Sequence, residues 1–246
     1  MSATDATLVG TLVFVGATLA ATVGHGGAST YLAAMALFSL APPAMRASAL
    51  VLNLLVAGLA VVRFAHARAL PWRTIAPFVI GSVPFAWLGG TLALPEPLHA
   101  RVLGVVLLVA SAQLLAMPPA PDDAALRFLH PGGALALGSA LGLLSGLTGV
   151  GGGIFLSPLL VLGRFARPRE ASGASAAFIW LNSAAALLAR PAALDALPSA
   201  LTVWAVAAVV GGALGARYGS RHASPRVLRR LLGVVLAIAA LKLLFT

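Results

Sequence analysis

The stretch Gly149-Val150-Gly151-Gly152-Gly153, continuing as Ile154-Phe155-Leu156-Ser157-Pro158, joins two apolar runs through a cluster of glycines. Without Cβ atoms, such a segment can turn tightly and leave its backbone N–H groups bare. The helix that follows begins with its positive dipole end toward the turn, an arrangement that suits an anion. A second cluster, Gly24-His25-Gly26-Gly27, stands at an offset of 125 residues. Close helix packing at a glycine-rich crossing gives the same composition. Two clusters in equivalent places nevertheless favour a ligand site built on Gly24, Gly26, Gly27, Gly149, Gly151, Gly152 and Gly153. A dinucleotide-binding fingerprint is a weak reading, because no βαβ pattern surrounds the glycines.

Other polar residues in apolar surroundings extend this candidate site. Asn53 and Asn182 lie well inside long apolar runs, where an amide without partners is costly to bury. They either bond between helices or form a pseudo-symmetric site, and their equivalent positions favour the site. Arg46 lies seven residues before Asn53, about two helical turns away on the same face. It could attract an anion, although snorkelling to lipid headgroups is the plainer account. His25, at the first glycine cluster, could donate to an anion or take a proton near neutral pH; equally, it could bond a free carbonyl. Ser29, Thr30, Thr148 and Ser157 flank the turns and could offer hydroxyls. No cysteine is present, and the six acidic residues fall in termini or loops. Cation pumps and many proton-coupled carriers place a carboxylate at membrane depth, so this pattern points to an anionic or neutral substrate. No catalytic residue, metal ligand or cofactor is expected.

The elements that hold these residues must be membrane helices. Of 246 residues, 60% are apolar and 9% charged, and the mean hydropathy is +1.01. So few charges cannot cover a water-soluble globule of this size. The formal net charge of +10 raises a nucleic-acid reading. That reading fails, because the basic residues are dispersed in short loops, where they set membrane orientation. Apolar runs cover 8–23, 28–41, 44–65, 74–94, 99–117, 133–148, 154–164, 171–189, 200–219 and 227–245. Crossing the hydrocarbon core takes about 20 helical residues. The third, fourth, fifth, eighth, ninth and tenth runs reach or approach that length. The first and second, and the sixth and seventh, are shorter and meet at the glycine clusters as broken or re-entrant hairpins. The first run, lacking a positive flank, reads as a retained helix and not as a cleaved signal peptide.

The two halves repeat. Beyond the glycine clusters the offset becomes 129, pairing Asn53 with Asn182, Arg46 with Ser175, and Leu103–Leu107 with Leu232–Leu236. The expected architecture is all-α and polytopic. Residues 1–118 form the first repeat, 119–132 a cytoplasmic linker and 133–246 the second repeat, each with a glycine-broken hairpin and about three transmembrane helices. An odd number of crossings per half inverts the second half relative to the first. Twelve basic residues, from Arg63 to Arg230, then share one face, and Arg46, Arg101, Arg190 and Lys242 the other. The positive-inside rule puts the twelve in the cytoplasm and both termini in the periplasm. Inverted repeats with a broken helix in each are a recurrent transporter plan, with substrate bound near the midplane.

The motif from Gly149 to Pro158, with Ala-Ser-Gly-Ala-Ser at Ala171–Ser175, resembles that of the sulfite exporter TauE/SafE family of membrane permeases, and the resemblance covers nearly the whole chain. It implies a bacterial inner-membrane permease for small sulfur-containing anions such as sulfite or organosulfonates. The first half departs from the motif: His25 interrupts the glycines, Ala28 stands opposite Gly153, and Ala33 opposite Pro158. The expected partners are a small anionic substrate and the lipid bilayer, not nucleic acid, and a homo-oligomer is compatible with the sequence. A passive anion channel needs the same site chemistry. An intramembrane enzyme is disfavoured, because the chain lacks His-Glu-x-x-His and any intramembrane aspartate pair. The charge bias makes a testable statement. In this cysteine-free chain, Arg167→Cys should react with an impermeant thiol reagent only after cells are opened, and labelling of sealed cells would overturn the orientation.

Overall fold

The computed structural model describes residues 2–22, 27–116, 125–222 and 225–245, with ten α-helices and one short 3-10 helix among them. The helices are α1 (Ala3–Thr22), α2 (Ala28–Leu37), α3 (Pro42–His66), α4 (Trp72–Thr91) and α5 (Glu96–Ala116), then α6 (Pro131–Thr148), α7 (Gly153–Leu162), α8 (Pro168–Leu188), α9 (Leu201–His222) and α10 (Pro225–Phe245). Each apolar run of the sequence is one helix. Proline opens α3, α6 and α8, where its fixed φ suits the first turn and its missing N–H costs no bond.

By length and composition, α1, α3, α4, α5, α6 and α8 can cross a membrane. This corrects the expectation that the first and sixth runs are short: α1 has 20 residues and α6 has 18. The extra length comes from polar first turns that apolar counting misses. The Asp5 N–H donates to Ser2 Oγ (3.0 Å), and the Ser2 N–H donates back to the Asp5 carboxylate (3.2 Å). In α6, His130 caps the Gly132 N–H (3.1 Å) just ahead of Pro131. The helices α2 and α7, with 10 residues each, are too short to cross. Their geometries match at the offset of 125. Each starts after a glycine in the left-handed region, Gly27 or Gly152. Each ends in the same paired bonds: Leu40 and Phe165 N–H reach the carbonyls of Met35 and Leu160, and Ser39 and Arg164 those of Ala36 and Val161.

Helix association follows small-residue stripes. Lipid is as apolar as leucine, so close van der Waals packing must hold membrane helices together. On α6, Gly138, Gly142 and Gly146 rest against the backbones of Phe78, Ser82 and Ala86 on α4; Gly81 and Gly89 of α4 meet Leu135 and Leu143. The two numberings rise together, so α4 and α6 run parallel. Likewise Gly211 and Gly215 of α9 meet the carbonyls of Phe14 and Thr18, making α9 parallel to α1. By contrast, α3 and α8 are antiparallel, with Asn53 bonded to Ser183 and Gly58 against Trp180. The pair α5 and α10 is antiparallel too, with Gly104 against Leu244 and Ser111 Oγ donating to the Gly233 carbonyl (2.7 Å). Exchanging the halves therefore maps α4–α6 onto α9–α1 and returns the pairs α3–α8 and α5–α10. Large apolar side chains such as Ile80, Val105, Val203 and Ile238 remain on the outside, as a surface facing lipid requires.

A methyl group tests the stripes. At Gly142 a Cβ would strike the Ser82 backbone, whereas at Gly133 its nearest neighbour is a leucine methyl at 3.7 Å. Gly142→Ala should cost about 1–3 kcal/mol by overpacking. Gly133→Ala should be neutral or stabilising, because alanine is the better helix former. Thermal unfolding of the purified variants checks this; equal melting temperatures would refute the contact.

Candidate functional site

The second glycine turn is buried, and its conformation demands glycine. Gly149, Gly151 and Gly152 have φ of 80°, 81° and 71°, values that L residues with a Cβ rarely adopt. The turn is held from behind: the Gly149 N–H donates to the Ser145 carbonyl (2.8 Å), and Val150 N–H to Thr148 Oγ1 (3.3 Å). Ahead of it, α7 begins with no side-chain cap. The Phe155 and Leu156 N–H groups donate to the Gly152 carbonyl (3.1 and 3.2 Å), whereas those of Gly153 and Ile154 come before the first bonded turn and lie at the helix's positive end. The Gly27 turn likewise opens α2 without a side-chain cap, at φ 75°; Ser29 is buried in its first turn. Gly24, His25 and Gly26 lie outside the described residues.

Asn53 meets the second turn. Its Nδ2 donates to the Gly149 carbonyl (3.1 Å) and to Ser183 Oγ (3.3 Å), while Oδ1 has no protein partner. Because a carbonyl requires a donor, Nδ2 and not Oδ1 must face Gly149. Asn182 is fully buried, and neither of its amide atoms has a partner. Ser175 lies seven residues earlier on the same face of α8, and its hydroxyl and that of Ser145 are also buried without partners. Leaving such groups unsatisfied costs on the order of 1–3 kcal/mol each, which makes them natural points of contact for a polar ligand. Gly151 stands between the Asn53 amide and Ile179, and Gly153 packs on Ile179 and the Ser175 carbonyl. Of the residues expected from the second repeat, Gly149 and Gly151 meet Asn53, while Gly152 and Gly153 pack on Phe178 and Ile179 of α8. Ser183 and Ser145 were not legible: serines are common in apolar helices, and Ser183 aligns with Leu54 at the offset of 129.

Arg46 neither snorkels to lipid nor points at the glycine turn. It is 9% exposed. Its Nη2 donates to the carbonyls of Gly89 (2.7 Å) and Gly90 (2.9 Å), and Nη1 to Leu92 (3.1 Å). These are the last carbonyls of α4, so the cation meets the negative end of a helix. Its backbone, meanwhile, abuts Gly149. Arg46 therefore ties α3 to α4 beside the turn.

Two cavities approach Asn53 along the α3–α8 pair from opposite ends. One, of about 290 Å³, includes Pro43, Arg46, Leu50, His99, Ala186 and Arg190 in its lining. The other, of about 300 Å³, includes Val56, Arg63, Phe64, Arg169, Ser172 and Ala176. Leu50 and Val56 each stand three residues from Asn53, within one helical turn, yet Asn53 and Asn182 are both inaccessible. Both cavities are closed at the level of the asparagines.

Long apolar helices, glycine-stripe packing, an outward apolar surface and a buried polar centre together define a multi-pass α-helical membrane protein. Residues 8–243 match the family model described as "Sulfite exporter TauE/SafE", and the chain belongs to that family. It is a membrane permease and not an enzyme. It is 37% identical over 243 residues to a Sinorhizobium fredii (strain NBRC 101917 / NGR234) protein named "Probable membrane transporter protein y4hK", covering 94% of this chain and 95% of that relative. No solved structure matches.

The turn's geometry makes a testable distinction between ligand contact and mere packing. A Cβ at Gly151 would lie 2.9 Å from Ile179 and 3.1 Å from the Asn53 amide, and one at Gly152 would lie 2.8 Å from Phe178. Gly151→Ala and Gly152→Ala should reduce transport at least about tenfold, a loss of roughly 1.4 kcal/mol in apparent affinity or barrier, while Ile154→Val stays near wild type. Flux is measured on variants that elute as a single sharp peak on a sizing column. Wild-type flux in both glycine variants would show that the turn only packs.

Proposed function

We propose that the chain is a secondary transporter moving a small sulfur-containing oxyanion, such as sulfite or an organosulfonate, across the bacterial inner membrane. The observation that carries this reading is the set of buried, unpartnered donors of Asn182 and Ser175, with the Ser175 backbone against Gly153 at the uncapped start of α7. N–H and O–H donors enclosed away from water suit an anion far better than a cation. The substrate site then comprises Asn53, Asn182 and the glycine turns, from Gly24 to Gly27 and from Gly149 to Gly153, with Ser29 beside the first. Arg46 serves as an anchor for α4.

The proposed architecture is two inverted repeats, residues 1–118 and 133–246, joined by a cytoplasmic linker at 119–132, with both termini periplasmic. Support comes from the matched geometry of α2 and α7, the antiparallel pairs α3–α8 and α5–α10, and the charge bias of the loops. Closure of both cavities at Asn53 favours a carrier over an open channel. Purified protein should be thermally stabilised by sulfite, thiosulfate or an organosulfonate, by about 2.7 kcal/mol when ligand is a hundredfold above its Kd. Asn182→Ala should remove that gain. Stabilisation by none of these anions, or equally in Asn182→Ala, would count against the assignment.

A further inference from the structure

We propose that the cavity at the Arg63 end of the α3–α8 pair is an access vestibule that gathers small oxyanions for the central site, and that its arginines set apparent affinity from that side alone. The inference rests on the carrier reading above and adds a second binding locus with its own residues. The cavity is lined largely by small and apolar side chains, with the guanidinium groups of Arg63 and Arg169 on its wall and no carboxylate among its lining residues. Both arginines are exposed. A low-dielectric cleft carrying charge of one sign focuses its field and raises the local concentration of counter-charged solute.

Its position makes it a path to the site and not an isolated crevice. The lining ends at Val56, three residues from Asn53, and Arg63 is a further seven residues along α3, about 10 Å of helical rise. The cavity at the other end supplies an independent observation. At the offset of 129, Pro43, Ala47, Ala192 and Ala193 of that cavity align with Ser172, Ala176, Arg63 and Phe64 of this one. The same recess therefore occurs twice between the halves, the two copies related by exchanging α3 and α8, on opposite sides of the asparagines. The two differ in charge. At the Arg46 end, Arg46 is bound to three carbonyls, and the lining includes Glu96 as well as Arg190. The net attraction for an anion is consequently stronger at the Arg63 end, and the two faces should saturate at different concentrations.

Two arginines beside an apolar wall could also hold the phosphate of an anionic lipid, which shares oxyanion chemistry, so the test separates the two sources. Sulfite flux is measured with purified protein in vesicles of zwitterionic lipid alone, and again with phosphatidylglycerol, in preparations of defined orientation. With Arg63→Gln and Arg169→Gln, half-saturation from the Arg63 side should rise about three- to tenfold, with little change in maximal rate. The wild-type dependence on ionic strength should weaken in step. Half-saturation from the opposite side should stay put, and Arg63→Lys should restore most of the effect. Equal shifts from both sides, or none, would overturn the vestibule while leaving the central site standing. Shifts seen only with phosphatidylglycerol would make the cavity a headgroup site and overturn it as well. If the wild type carries no sulfite, thiosulfate or sulfonate, the carrier reading falls and takes the vestibule with it.

Discussion

In hydrocarbon there is no water to satisfy a backbone N–H or C=O that lacks a partner, so a broken helix survives only where protein encloses it. Much of this structure answers that constraint at the turn between α6 and α7. Here α7 is 10 residues long, too short to cross, and the chain passes through three glycines at positive φ. The turn is buried by α3 on one side and α8 on the other, with Arg46, Asn53, Phe178 and Ile179 in contact with its glycines. One carbonyl, that of Gly149, is met by Asn53. The start of α7 is left without a side-chain cap, and on the proposed reading a polar ligand takes the place of one.

Enclosure requires helices to approach closely, and the small-residue stripes allow that. The backbones of α4 and α6 touch at Gly138, Gly142 and Gly146, while α1 and α9 meet at Gly211 and Gly215. Each stripe carries its helix to a partner in the other half of the chain. The halves are thus interleaved, not set side by side, which is why a site between α3 and α8 draws on both. Arg46 adds a polar link of a different kind, offering a cation to the carbonyls that end α4. Fixing α4 to α3 there also fixes the wall against which Gly149 rests.

The sequence made the helices and the second glycine turn legible because each has a local signature: an apolar run, or a residue type that one conformation requires. It misjudged α1 and α6, whose polar first turns at Ser2–Asp5 and His130–Gly132 are helical through capping and not through apolarity. Partner choice was not legible, since a glycine stripe shows that a helix will pack closely and not against which neighbour. The role of Arg46 was hidden for a related reason: its partners are backbone carbonyls more than 40 residues away, and every residue type has one. Family membership rested on the Gly149–Pro158 motif, whose glycines the fold places at a buried turn.

The two asparagines show how a repeat can preserve positions while dividing their work. Asn53 uses both N–H donors of its amide, one toward Gly149 and one toward Ser183, so its remaining free atom is an acceptor. An anion gains nothing from a bare carbonyl oxygen; as disposed here, Asn53 serves chiefly to hold the turn in shape. Asn182 keeps its donors free, with the hydroxyls of Ser175 and Ser145 also unpartnered. The difference follows from the substitutions between halves. Ser183, which Asn53 uses, aligns with Leu54, and Ser175 aligns with Arg46, whose side chain is committed to α4. On the proposed reading, the site is therefore symmetric in its scaffold and asymmetric in its chemistry. One asparagine positions the backbone that faces the ligand, and the other meets the ligand itself.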